Sequence, residues 1–421
     1  HASADTIAAA LERDGADPWI SLAALSLATG DHGGILEAWV KLTGGKAPSP
    51  TARDAIGRLS VLAGDGTMTD RASFLKSWSR LPESWQAPAL VGLAKGMRRA
   101  GTSLADLDKN PNPQAKTALA MVKARLEAAG RKSLDDKVPV TDRVDSLGLA
   151  LLSPEEPGAD ALESWLSGRS PVEVQVAAIQ GLASRGAKPA TIAKVVESLK
   201  AMSAAGRREA ELFLVGSPAG RDTLLAAVES GNVVPGLLEG ATRSRMARHA
   251  TDRKKPELAA KLTSGSATRA KVLEGYKAAA APGAPCDPDK GRAVFRKNCA
   301  TCHRLENTGH VVGPDLLAAL KGKDKATLLV AILDPNREID SRYVNQLVTL
   351  KNGRITSGLT AVETAGSLTL KRAEGVEEVL LRGQIDTVEA TGQSLMPEGL
   401  EKEIPPEAMA DLLAYLIQQG G

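Results

Sequence analysis

Aromatic side chains are scarce in this chain: three Phe, three Tyr and five Trp amount to 3% of 421 residues. Sheet-rich proteins lean on aromatic and β-branched residues, so this scarcity, beside abundant Ala, Leu and Gly, favours closely packed helices. Cysteine is nearly absent as well. Three thiols in a chain of this length exclude a disulfide framework. No apolar run reaches the ~18 residues that a membrane-spanning helix needs. Neither charge dominates, and a net charge of +3 is too small to argue for nucleic acid. No nucleophile–base constellation, phosphate-cradling loop or paired-carboxylate site stands out. "GSPAGRDT" at 216–223 reads as an inter-helix turn. A signal peptide is also missing, and the chain opens at His1 rather than Met, as expected of a processed protein or a cut fragment.

What is present is helical punctuation. Residues 1–277 read as short amphipathic helices separated by Gly, Pro and Asp. Ser170-Pro171 opens one helix, with Val174, Val176, Ala177, Ile179 and Leu182 as its apolar stripe. Gly186 ends it before Pro189 starts the next. Trp19, Trp39, Trp78, Trp85 and Trp165 fall within such stripes and are expected in the core. The repeated helix pairs resemble HEAT-type repeats, which implies an N-terminal α-solenoid; an irregular helical bundle fits the same residues. "AAAAPGAPCDPDKG" at 278–291 has the Ala and Pro content of a linker, placed at 278–286. The basic cluster 243–255 lacks interleaved aromatics and reads as a solvated face. From residue 286 onward 16 Lys+Arg stand against 19 Asp+Glu, and before it 37 against 31. A mildly basic front and an acidic back would help the two parts, or a partner, to dock.

Behind the linker the texture changes. Asp287 or Asp289 caps a helix "DKGRAVFRKN", and "KATLLVAILDPN" forms another that stops near Pro335. Alternating apolar residues over about 343–390, with turns at Asn352-Gly353, Ala365-Gly366 and Glu374-Gly375, predict four or five antiparallel strands. A last helix carries Met409, Leu412, Leu413 and Leu416 at helical spacing and is stopped by glycines. Between the first two helices stands Cys299-Ala-Thr-Cys302-His303. A zinc site needs four Cys or His ligands. The remaining cysteine, Cys286, lies 13 residues upstream and reads as an unpaired exposed thiol. A thioredoxin-like pair follows a strand, whereas this one follows a helix. The third chemistry is covalent haem c attachment, with the two thiols reaching one porphyrin edge and the adjacent imidazole falling beneath the iron.

The lead-in "GRAVFRKNCATCH", the loop "GHVVGPDL" and the final "DLLAYL" resemble class I cytochrome c domains. That resemblance implies a mainly α fold over 287–421 in which Gly291 and Phe295 of the first helix cross Leu412 and Tyr415 of the last. It implies one haem c, covalent through Cys299 and Cys302, with His303 as proximal iron ligand and the Pro314 carbonyl behind its imidazole. The distal ligand it implies is Met396 in "SLMPEGL"; Met409 is assigned to the core and His310 to a surface loop. His303 and Met396 are 93 residues apart, long for a simple domain of this class. The strand-rich insert accounts for the excess, and the ordered motifs are similar to the haem-binding domain typical of planctomycete and verrucomicrobial proteins.

The function these resemblances imply is electron transfer rather than enzymatic turnover, with electrons accepted from a dehydrogenase domain or partner, and a location in the periplasm or on the cell surface. Two other functions compete. One is a haem peroxidase or gas sensor whose sixth ligand is displaceable. The other is a protein-binding scaffold with a redox appendage.

Overall fold

The computed structural model describes residues 2–109, 113–153, 157–186, 188–263 and 267–420. Among these the chain is mainly helical, with one small antiparallel sheet towards the C-terminal end. Two compact units divide it: His1–Gly158 with Gly181–Gly186, and Ala159–Gln180 with Ala187–Gly421. The linker expected at 278–286 therefore lies inside the second unit, together with the helices from 159 onward.

In the first unit, Ser3, Asp17, Asp31, Ser49 and Thr67 each accept a backbone N–H at a helix start, and Pro18 and Pro50 occupy first turns. Helices pack largely against next-but-one neighbours, an arrangement compatible with stacked helical repeats. Trp39 and Trp85 meet edge to face with centroids 5.6 Å apart. Each buried indole finds an acceptor: Glu12 for Trp39, the Lys46 carbonyl for Trp85, the Gln86 carbonyl for Trp78. Trp19 departs from expectation and is 79% exposed. Its helix, Pro18–Leu27, is apolar nearly all round but buries only the face of Ser21, Ala24 and Leu25, leaving Trp19, Leu22 and Leu27 outside.

Helix Val172–Arg185 follows Ser170-Pro171 as expected and ends at Gly186 in a left-handed conformation. Its buried stripe differs from the apolar spacing. Val174, Ala178, Ile179 and Leu182 are buried, and Gln175 takes the place assigned to Val176 and Ala177. The amide of Gln175 is satisfied in full: it donates to the carbonyls of Ser167 and Ser170 and accepts from the N–H and hydroxyl of Ser203. A buried amide with all its partners costs little.

Towards its C-terminal end the second unit includes helices α1 (Ala267–Tyr276), α2 (Pro288–Asn298), α3 (Lys325–Leu333) and α4 (Pro406–Gly420). Gly421, expected to help stop α4, lies outside the described residues. One core joins Tyr276 and Ala279 to Phe295, Leu329, Leu333, Met409, Leu412 and Tyr415. The sheet is inserted between α3 and α4: β1 (Val344–Leu350), β2 (Ile355–Glu363), β3 (Ser367–Lys371), β4 (Glu377–Leu381) and β5 (Ile385–Ser394), in the order β4-β3-β2-β1-β5 and antiparallel throughout. The three expected turns sit at its first three hairpins. Asn352 Oδ1 accepts from the Arg354 N–H while Gly353 adopts φ 85°, the local chemistry that makes Asn-Gly a turn. Val348, Leu350, Leu368, Leu370, Leu380 and Ile385 form the sheet's own small core.

Candidate functional site

Asp287 caps α2 by accepting from the N–H groups of Asp289 and Lys290, and its own N–H is held by Asp411 at 2.6 Å. The helix therefore runs from a fixed start to Cys299 at its C-cap. Close packing against α4 fixes its direction. At Gly291 a Cβ would stand 2.8 Å from the Tyr415 Cβ and 2.6 Å from the Asp411 carbonyl carbon, so only glycine lets the backbones approach. Phe295 and Tyr415 meet one turn on, with centroids 5.9 Å apart.

The motif winds one further turn from this helix. Cys299 N–H donates to the Phe295 carbonyl at 2.8 Å, and the N–H groups of Cys302 and His303 donate to the Cys299 carbonyl at 3.1 and 2.9 Å. Both thiols and the imidazole thus leave the same turn. The following loop folds back onto it: His310 N–H donates to the Ala300 carbonyl, and Val312 and Gly313 N–H both donate to the Cys302 carbonyl, at 3.0, 3.0 and 2.9 Å. Glu306, at φ 53°, pairs with Arg292 of α2 and accepts from the Tyr415 hydroxyl at 3.3 Å. The Arg292 hydrogen bond holds the Glu306 carboxyl below its ordinary value.

Cys299 and Cys302 are free and half-buried. Burial, with the Cys302 thiol beside it, pushes Cys299 up to about 12, and burial raises Cys302 as well. Both are therefore thiols, not thiolates, at neutral pH, unlike an activated redox pair. Among the described residues no three His, Cys, Asp or Glu side chains converge as a metal cluster, so the zinc reading gains no support.

The His303 ring is wedged between its own turn and Gly313. Burial holds it below its ordinary value, partly offset by the Pro314 carbonyl. That carbonyl acts on the ring from outside hydrogen-bond geometry, which leaves Nδ1 buried and without a partner. An orphaned Nδ1 beside a waiting carbonyl, a glycine where a side chain would strike the ring and two neutral thiols on one turn suit a covalently attached haem.

Met396 stands half-buried on the loop between β5 and α4, its N–H donating to Ser394 Oγ at 3.1 Å. Met409 is fully buried in the core of α4, and His310 is exposed. Two features carried no signal in the sequence. The β3–β4 hairpin reaches the motif, with Glu374 N–H donating to the Thr301 carbonyl at 2.8 Å and Gly375 lying beside His310. The Met396 loop is held by side chains from far earlier in the chain, Arg269 and Tyr276 of α1 among them.

The cytochrome c family model matches residues 288–419, from the first turn of α2 to the end of α4. Those residues, less than a third of the chain, form a cytochrome c domain. No curated protein matches the chain.

Proposed function

We propose that residues 288–419 carry a single haem c, attached through Cys299 and Cys302 and ligated by His303 and Met396, and that the protein passes electrons one at a time from a dehydrogenase to an acceptor. The carrying observation is the turn Cys299–His303 itself: two neutral thiols and an imidazole fixed by one set of backbone hydrogen bonds, inside the segment matched by the cytochrome c family model. When bound, haem supplies a one-electron couple between ferric and ferrous iron, and a thioether opposite an imidazole favours the ferrous state. Cys299 and Cys302 would anchor one edge as thioethers. His303 would ligate through Nε2, with the Pro314 carbonyl steadying Nδ1, and Met396 would close the opposite face.

A site closed on both faces has no place for peroxide or gas, which favours electron transfer over the peroxidase and sensor readings. Thioether attachment matures outside the bacterial cytoplasm, so we place the protein in the periplasm or on the cell surface. The sheet between the proximal motif and "SLMPEGL" supports the planctomycete and verrucomicrobial type of domain. Residues 1–277 act in this reading as a HEAT-like scaffold that positions the redox partner. The exposed Trp19, Leu22 and Leu27 favour that role.

Visible spectra of the purified protein test the reading. A sharp c-type α-band on reduction, a weak far-red band on oxidation and a reduced form indifferent to carbon monoxide are expected. A high-spin spectrum that shifts with carbon monoxide would reject permanent Met396 ligation.

A further inference from the structure

The loop bearing Met396 is tied down symmetrically. The Asn336 side chain accepts from the Ser394 N–H at 2.8 Å through Oδ1 and donates to Glu398 Oε1 at 2.6 Å through Nδ2. A single amide thus grips the residues two before and two after Met396. Glu398 and Glu401 in turn face Arg269 of α1, whose side chain is only 10% exposed. Its guanidinium donates to both Glu401 oxygens, at 3.0 and 2.9 Å, and reaches Glu398 at 3.7 Å and the Leu333 carbonyl at 3.3 Å. Two turns further along α1, the Tyr276 hydroxyl meets the carbonyls of Glu401 and Ile404 at 3.0 and 2.8 Å. Bidentate, largely buried Arg–carboxylate pairs fix geometry as well as energy.

Arg269 and Tyr276 precede residue 288, where the cytochrome c match begins. Nothing about haem attachment requires them. Their partners Glu398, Glu401 and Ile404 lie within eight residues after Met396. A thioether is a weak ligand, and a loop free to swing loses entropy each time the sulfur is presented.

We infer that Asn336, Arg269 and Tyr276 are positioning residues that hold the Met396 loop in its ligating conformation, so that α1, from the helical region, is a working part of the haem site. This rests on Met396 being the sixth ligand. Loss of such outer contacts weakens a ligand on the order of 10–100-fold in metalloproteins generally. The same range is expected here for the ratio of open to Met-ligated iron.

The test uses the full holoprotein. Asn336→Ala and Arg269→Lys are compared with the parent in the strength of the oxidised far-red band, the carbon monoxide affinity of the reduced form and the reduction potential, with thermal unfolding recorded beside them. Arg269→Lys keeps the charge and loses only the bidentate fork, which guards against misfolding. Expected are a weakened far-red band, carbon monoxide affinity raised about tenfold or more and a lower potential. Asn336→Asp should do the same by repelling Glu398, and Asn336→Asp with Glu398→Gln should restore the parent values, since Gln then donates to Asp. Met396→Ala separates the two levels. If Met396→Ala opens the iron while the other variants match the parent, the positioning role is wrong and the ligand assignment stands. If Met396→Ala leaves the band and the carbon monoxide indifference intact, the ligand assignment itself fails, and the positioning role with it.

Discussion

Gly313 lies against the imidazole of His303: a Cβ on residue 313 would stand 2.8 Å from Nδ1 and 2.9 Å from Nε2. The loop cannot retreat cheaply, because Gly313 N–H is bonded to the Cys302 carbonyl. Gly313→Ala should therefore tilt the ring, costing about 1–3 kcal/mol of stability as overpacking does elsewhere, and should change the ferric spectrum. Thermal unfolding and a spectrum of the holoprotein check this. An unaltered variant would show that the loop yields freely.

The crossing of α2 and α4 makes a companion prediction away from the ligands. Gly291→Ala drives a methyl into the Asp411 carbonyl and the Tyr415 Cβ, backbone and ring root that have nowhere to go. A loss of about 1–3 kcal/mol is expected, with the haem spectrum of the surviving folded protein unchanged. Calorimetry shows the first and absorbance the second.

Thiol accessibility distinguishes the three cysteines in protein made without haem maturation. Cys286 is exposed, whereas Cys299 is half-buried and its surroundings push its thiol up to about 12. Iodoacetamide at mildly alkaline pH should label Cys286 first and Cys299 last, read by peptide mass spectrometry. Equal rates would mean that the motif turn is not formed without its cofactor.

Glu211 sets a pH dependence of its own. It is 2% exposed, and burial pushes its carboxyl up to about 7 from 4.5 despite accepting from the Glu239 N–H at 3.0 Å. The folded state then keeps a proton that the unfolded chain releases above pH 4.5. Stability should fall as pH rises from about 4.5 to about 7 and level off beyond, by on the order of 3 kcal/mol. Glu211→Gln should flatten that slope in urea unfolding curves taken across the range. A slope that survives the substitution would assign it to another group.

Local chemistry was legible in the sequence, and the long-range crossing of Gly291 and Phe295 with Tyr415 was legible through the resemblance to class I cytochrome c domains; other long-range partnerships were not. Asn352-Gly353, the Asp287 cap and the Cys299–His303 turn are each decided by residues within a few positions of one another, and each stands where the sequence puts it. Gln175 and Trp19 went the other way. Apolar spacing marks a candidate buried face, but Gln175 is buried because Ser167, Ser170 and Ser203 happen to surround its amide. Trp19 is left outside because its helix offers apolar residues on more faces than its neighbours cover. The division between compact units fails to follow composition for the same reason. The Ala- and Pro-rich segment after Tyr276 looks like a boundary, yet Tyr276 and Ala279 are buried with Phe295 and Leu412 in one core. Arg269 is an ordinary surface-type residue in the sequence until Glu401, 132 positions later, takes its guanidinium.

The first and last residues of the sheet, Val344 and Ser394, are paired across β1 and β5. The chain thus leaves the helical part and returns to it at the same point, while the far β3–β4 hairpin comes back to the Cys299–His303 turn through Glu374 and Thr301. The β1–β5 pairing, not the number of strands between, sets where Ser394 returns, and Met396 follows two residues later.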